Sequence, residues 1–318
     1  MKSVRNFFIF FVIVCFLGVI FLKKQVAGSG PLAETVTVDI SRGISSQKVA
    51  EILYDKGVIS QPLIFRLLMK YKQNDGQIKA GEYLFTPLVS RLQVLDKLVR
   101  GEVVYHKITI PEGYTVGQVL YLLNMNDLLS GEFDIFPDEG AFLPETYTFQ
   151  KGESRNRLVQ EAMAAMTKKL QEVWDSRDEG LPYKDMRDLL IMASIIEKET
   201  GVRSERSQVA SVFVNRLRKG MLLQTDPTVI YALTEGREEL GRPLTRKDLS
   251  VDSPYNTYKY AGLPPSPICN PGEASLYAAA HPAETDFLYS VASGNGGHNF
   301  AKTLSEHNLN VTNWKKSR

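Results

Sequence analysis

Cysteine and histidine are scarce: the 318 residues hold two of the first and four of the second. Cys15 lies inside the most hydrophobic stretch and Cys269 far along the chain, so the pair cannot bridge a soluble domain. No CxxC occurs, which removes dithiol redox chemistry and zinc ribbons. His281, His298 and His307 could in principle join Asp226 around a metal, but they lack the spacing of HExxH, and His281-Pro-Ala-Glu284 is an isolated match. No metal and no cofactor are expected. A Gly-x-Ser-x-Gly elbow is missing, and Gly294, Gly296 and Gly297 do not open a helix, so neither a serine nucleophile nor a phosphate loop is supported. Charge of one sign is missing too. Lys+Arg number 38 against Asp+Glu 36, a net +2 with no basic stripe, which argues against nucleic acid as a partner.

One long hydrophobic run is present. Phe7 to Leu22 is unbroken, preceded by Lys2 and Arg5 and followed by Lys23 and Lys24. At 1.5 Å per residue it spans about 24 Å, and snorkelling basic flanks extend it toward a hydrocarbon core of about 30 Å. A cleaved signal peptide is the alternative, with Val26-Ala27-Gly28 near a cut, but Lys23-Lys24 behind the apolar core argues against cleavage. We read 1–6 as a cytoplasmic tail, 7–24 as a transmembrane anchor and 25–35 as a short flexible linker. The charge flanks alone leave the orientation weakly determined.

After the linker a faint repeat appears. Val36–Ile40, Gly43 and Val49–Leu53 read as strand, turn and helix; Ile108–Ile110, Gly113 and Val119–Leu123 repeat the pattern. Two short amphipathic helices, around Leu63–Leu68 and Leu92–Val99, flank the stretch Gly81–Phe85. We group 36–135 as a small βα domain and 136–318 as a second domain. The latter is expected to carry helices at about 154–175, 183–200, 204–219 and 273–280, a strand at 287–292 and a turn at 294–297. Helix–strand alternation is too short for a doubly wound sheet, so the fold class is α+β.

The most informative segment runs from Asp185 to Gly201. Leu189, Leu190, Met192, Ala193 and Ile196 mark one helix face, and Glu197 sits at its edge, with Glu199 pointing elsewhere. With Gly201 ending the helix, Glu197 falls in the last turn. There the helix dipole and apolar neighbours both oppose a negative charge, which favours the protonated form a general acid needs. Spacing alone is equally compatible with a solvated pair of glutamates. Four further clusters join aromatic rings to amides and hydroxyls: Gln224-Thr225-Asp226 to Tyr231; Tyr255-Asn256-Thr257-Tyr258; Asn270-Pro271-Gly272; and His298-Asn299-Phe300 to Asn308. Such pairings suit sugar rings, and equally suit capped loops and turns.

These stretches resemble the YceG-like endolytic murein transglycosylases, the MltG family. The likeness is carried by Ala80-Gly-Glu-Tyr83, Glu139-Gly-Ala-Phe-Leu-Pro-Glu-Thr-Tyr147, Ala193-Ser-Ile-Ile-Glu-Lys-Glu-Thr200, Leu223-Gln-Thr-Asp-Pro-Thr-Val-Ile-Tyr231, Tyr255-Asn-Thr-Tyr258 and Gly297-His-Asn-Phe300. The loop Ser266-Pro267 with Cys269 falls where the family varies. The resemblance implies a LysM-like domain at 36–135 and a catalytic domain at 136–318 on the outer, periplasmic side of the bacterial inner membrane. It implies that Glu197 is the catalytic acid and base, acting on peptidoglycan glycan strands beside a peptidoglycan synthase complex. Gln224, Asp226, Tyr255, Asn256 and Tyr258 are then expected to position sugar or orient the acid, and His298 or Asn308 to contact an N-acetyl group. A hydrolytic muramidase with Asp226 or Glu199 as second carboxylate, and a non-catalytic glycan-binding scaffold, are the competing readings.

Overall fold

A computed structural model describes residues 2–74, 76–294 and 296–316. Met1 of the expected tail, Asn295 of the expected turn and the last two residues of the expected second domain lie outside them. The chain divides into two compact units. One comprises 1–106 with 149–152; the other comprises 107–148 with 153–318. Residues 107–135, which the sequence pattern groups with the N-terminal part, therefore belong to the second unit.

The first unit opens with helix α1 (Lys2–Ala27). Its stretch Ile9–Ala27 is long and apolar enough to cross a membrane. Then come β1 (Val36–Ile40), α2 (Ser46–Asp55), α3 (Pro62–Tyr71), β2 (Gly81–Phe85) and α4 (Arg91–Arg100). Alternation fixes the strand: Val38 and Ile40 are buried while Thr37 and Asp39 face out. β1 and β2 pair antiparallel with Val38 opposite Tyr83. Ser45 caps α2 through the Lys48 amide at 3.2 Å. Ser90 and Gln93 form a capping box on α4, which stops at left-handed Gly101. Phe65, Leu53, Tyr83, Phe85 and Leu95 fill the core between them.

The segment 25–35 is not the free tether expected. Residues 25–27 continue α1. Arg91 donates to the Gln25 carbonyl, and the Leu88 amide donates to Leu32 at 2.9 Å. Leu32 is itself buried. The Gly-Ser-Gly composition marks a close chain approach: a Cβ on Gly30 would overlap the Val89 carbonyl.

The second unit holds all but the first residue of β3 (His106–Thr109) and the last of β5 (Thr146–Phe149), together with α5 (Val116–Asn124), β4 (Leu129–Ser130), β6 (Glu153–Ser154), α6 (Arg155–Ser176), α7 (Met186–Glu199), α8 (Arg206–Arg218), α9 (Asp226–Thr234), α10 (Glu273–Ala280), β7 (Tyr289–Ala292), β8 (His298–Ala301) and α11 (Leu304–Lys316). Its sheets are small: β3 with β5, β4 parallel to β6, and the antiparallel hairpin β7–β8. The second strand–turn–helix repeat is present as β3, Gly113 and α5, with a Thr115–Gln118 capping box.

α7 is the hub of this unit. We expected one apolar face, but Leu189, Ile191, Met192, Ala193, Ser194, Ile195 and Ile196 are all buried. The alanine-rich α10 packs along α7. On another side, Ser194 Oγ accepts the Ile268 amide at 3.1 Å and donates to Ile191 O at 2.7 Å, satisfying a polar group in the core. A helix packed on several sides is rigid, and a side chain at its end is held in a fixed place.

Candidate active site

Asp185 starts α7 by accepting the amides of Arg187 and Asp188 at 2.8 and 3.1 Å. The helix stops at Glu199, with Thr200 extended at φ −138°, two residues before the Gly201 expected to end it. A 3-10 turn, Arg203–Glu205, then reverses the chain into α8. This reversal brings Arg206, the first residue of α8, back onto the last turn of α7.

There Arg206 Nη2 lies 2.9 Å from Glu197 Oε1, with only 5% and 6% of the two side chains exposed. The other carboxylate oxygen, Oε2, accepts the Gly272 amide at 2.9 Å. Gly272 caps the amino terminus of α10, so a positive helix end faces the carboxylate. A guanidinium and the amino end of a second helix thus both contact the Glu197 carboxylate.

A third element closes over the pair. Arg206 Nη2 also lies 3.3 Å from Glu112 Oε2. Gly113 follows at φ 76°, and a Cβ there would touch Glu197 Cγ at 3.7 Å. Asn270 fixes this loop: its carbonyl accepts the Gly113 amide at 2.9 Å, its Nδ2 donates to Tyr114 O at 2.7 Å, and its Oδ1 accepts the Phe142 amide at 2.9 Å. Glu112 and Arg206 line a cleft of about 600 Å³ shared with Arg203, Tyr277 and His281. Two of the buried Arg206 nitrogens, Nε and Nη1, have no hydrogen-bond partner among the described residues.

Among the described residues, none of the seven expected binding residues bonds to Glu197. Several gather instead around Glu199. Thr225 Oγ1 donates to Glu199 Oε2 at 2.6 Å, and Asp226, Arg216 and His298 lie close enough to act on its charge. Burial pushes the Glu199 carboxyl above its ordinary value, outweighing the Thr225 hydrogen bond. Tyr258 donates to Asp226 Oδ1 at 2.6 Å. His298 pairs through Nδ1 with Glu205 at 2.9 Å. Gln224 is exposed with a left-handed backbone, φ 49°, one residue before Thr225.

The other candidates are accounted for by the fold. Asn256 is fully buried; its Nδ2 donates to Leu249 O and Val251 O at 3.0 and 2.8 Å, and its Oδ1 accepts the Tyr258 amide at 3.0 Å. It fastens its own loop through both side-chain polar atoms. Tyr255 bonds Ser266 Oγ at 2.6 Å and packs on Tyr231. Asn308 is exposed on α11. The three histidines weighed as metal ligands are apart: His281 pairs with Asp178, His298 with Glu205, and His307 stacks on Tyr289.

Sequence reasoning missed Glu112, Arg206 and Glu139. Glu112 passed as part of a Pro-Glu-Gly turn, and Arg206 as one residue of the helix expected at about 204–219. Glu139 accepts the Val116 amide at 2.8 Å, and burial pushes its carboxyl up to about 7. Only its place among aromatic neighbours in the Glu139–Tyr147 stretch hinted at this.

The fold is of the α+β class, and its centre is an enclosed glutamate held at the end of a buried helix by a guanidinium that a second carboxylate shares. Within that class the chain belongs to the YceG-like family, whose model matches residues 38–313. It is 35% identical to an endolytic murein transglycosylase of Bacillus subtilis, over 86% of this chain and 83% of that protein. A Streptococcus pneumoniae protein of the same description is 29% identical over 89% of this chain, which spans 59% of that longer relative. The crystal structure of a yceG-like protein of Listeria monocytogenes matches with a TM-score of 0.53 and 37% identity, covering 87% of this chain and 99% of that one.

Proposed function

We propose that this chain is an endolytic peptidoglycan transglycosylase in which Glu197 is both acid and base. The reaction begins with protonated Glu197 giving its proton to the oxygen leaving from the MurNAc–GlcNAc β-1,4 bond. As the C1–O bond breaks, the C6 hydroxyl of the same muramoyl ring attacks C1. Its proton returns to the Glu197 carboxylate, leaving a 1,6-anhydro end and a free hydroxyl on the departing strand. No water is consumed, so one carboxylate suffices.

The observation that carries this reading is the pair of contacts on Glu197: Arg206 at 2.9 Å and the Gly272 amide at 2.9 Å. Both stabilise the carboxylate created by the first proton transfer, and both hold it in one orientation for the second. A hydrolytic muramidase would need another carboxylate to activate water. Glu199 suits that role poorly, because it is spent on Thr225 and burial favours its neutral form. We assign Asp226, which acts on Glu199, Tyr258, which bonds Asp226, and the exposed Gln224 to sugar binding.

The remaining assignments follow from this chemistry. α1 anchors the chain in the inner membrane, with the catalytic unit on the outer side where nascent strands emerge. The β–α–α–β order of β1, α2, α3 and β2 supports a LysM-like module that positions glycan. Cutting within growing strands terminates their elongation, which favours action beside a peptidoglycan synthase complex.

The test is mass spectrometry of uncross-linked glycan strands after incubation with the full chain, wild type beside Glu197→Gln. Internal cuts bearing 1,6-anhydro ends, reduced roughly 10²–10⁴-fold in the variant, are expected. Hydrated reducing ends would indicate a hydrolase, and unchanged cutting by the variant would remove Glu197 from the chemistry.

A further inference from the structure

Among the large apolar side chains exposed on the first unit are Leu63, Leu67, Tyr71 and Leu88. On α3, Leu63, Leu67 and Tyr71 follow one another at i, i+4 and i+8, and are 70%, 65% and 85% exposed. Phe65, Leu68 and Met69 already bury the other face of this helix. The outer stripe is therefore a second apolar face, of a kind that marks an interaction surface. Leu88 is 62% exposed and held at φ 61°, a backbone conformation unfavourable for a leucine.

Both features adjoin the end of α1. The Leu88 carbonyl accepts the Gly30 amide at 3.2 Å, and its amide donates to Leu32 O at 2.9 Å, so it is stitched to the segment leaving α1. Arg91 donates to the carbonyl of Gln25, near the end of α1, and through Nη2 to Ser60 Oγ at 2.6 Å. Ser60 stands two residues before α3 begins. The start of the apolar stripe is thus tied to the point where α1 ends. Arg66 and Lys70 lie on α3 among the stripe residues, as on helices that rest in the headgroup layer of a bilayer.

We propose that α3 and Leu88 dock on the bilayer surface that α1 enters, with Leu63, Leu67, Tyr71 and Leu88 among the acyl-chain ends and Arg66 and Lys70 on anionic headgroups. The proposal rests on reading α1 as a membrane anchor. Its consequence is that the first unit does not swing on a tether but lies on the membrane. The occupant is lipid rather than a protein partner because the stripe is continuous with the end of an apolar helix and carries cations beside it.

The test uses the full chain with Cys15→Ser, leaving Cys269 buried, reconstituted in vesicles of phosphatidylglycerol and phosphatidylethanolamine. An environment-sensitive dye is attached at Leu67→Cys and, in a separate sample, at Phe16→Cys. Quenching by deep and shallow spin-labelled lipids is compared with quenching by aqueous iodide. We expect position 16 to be quenched by deep labels and position 67 by shallow ones, with iodide at least fivefold less effective at 67 than on the free dye. Adding Arg66→Glu and Lys70→Glu should return position 67 to iodide, which partitioning of the dye alone would not do. A dye at 67 open to iodide while 16 is quenched by lipid overturns the docking and leaves the anchor standing. A dye at 67 shielded from both quenchers means that protein covers the face, which also overturns it. A dye at 16 that lipid does not quench removes the anchor and the docking together.

Discussion

Glu112 and Gly272 occupy space that neither can share: a Cβ on the glycine would overlap the carboxylate of Glu112. The same glycine gives its amide to Glu197, and the same glutamate takes part of Arg206. Gly272→Ala should therefore expel Glu112 and disturb Glu197 through both routes. We expect turnover to fall at least tenfold, and the double variant Gly272→Ala with Glu112→Ala to recover thermal stability lost in the single one. Equal melting temperatures for the single and double variants would show that the two residues are not coupled.

Arg206 is the counter-charge of an enclosed carboxylate. Removing one partner of a buried pair leaves the other uncompensated, at a cost of about 3–5 kcal/mol. Arg206→Ala should accordingly lower the melting temperature by roughly 2–4 °C per kcal/mol. Arg206→Lys should retain more of the fold but little activity, because a single ammonium cannot reproduce the guanidinium geometry. A melting curve for Arg206→Ala that overlays wild type would contradict the pairing.

Glu112 is more than a third exposed, so it contributes through geometry rather than through burial. Glu112→Gln keeps its size and removes its charge. With Arg206 no longer shared between two carboxylates, turnover should fall about 10–100-fold, the equivalent of one charged hydrogen bond, with KM and melting temperature nearly unchanged. A rise in KM with constant turnover would assign Glu112 to binding instead.

Much of this unit was legible in the sequence because its signals are local. Helices α6, α7, α8 and α10 follow from apolar spacing and cap residues, and Glu197 from its place at the end of α7. α9 and α11 were missed although each carries a start signal: Pro227 in the first turn of α9, and reciprocal bonds between Thr303 and Glu306 before α11. Polar composition around both favoured loops. Arg206 and Glu112 were illegible for another reason. They stand 9 and 85 residues from Glu197, and only the reversal after Thr200 and the Asn270 hub bring them to it. Asn256 shows the converse: an amide among tyrosines has the same sequence signature whether it meets a sugar or fastens its own loop.

That fastening has a measurable cost of removal. Asn256→Ala strips the partners from the carbonyls of Leu249 and Val251 and from the Tyr258 amide. A fully buried group left unpaired costs about 1–3 kcal/mol, and these part-buried ones cost less. Tyr258, which holds Asp226, should loosen with it. Lower thermal stability together with a raised KM is expected, and a raised KM at unchanged stability would restore Asn256 as a direct ligand.

Glu139 gives the unit a pH dependence with a definite sign. Burial raises its carboxyl from an ordinary 4.5 to about 7, so the folded chain holds this proton over a range where the unfolded chain has lost it. Below pH 4.5 both states are protonated and the group is neutral to stability. As pH rises toward 7 the unfolded state is increasingly favoured, and above 7 the full cost is about 3 kcal/mol. Gln at this position retains an acceptor for the Val116 amide and turns a donor toward the Tyr231 oxygen, 3.5 Å from the carboxylate. Glu139→Gln should therefore match wild type near pH 4.5 and melt several degrees higher at pH 8. Melting temperatures of the two proteins that stay parallel from pH 4.5 to 8 would show that the fold does not raise the Glu139 carboxyl.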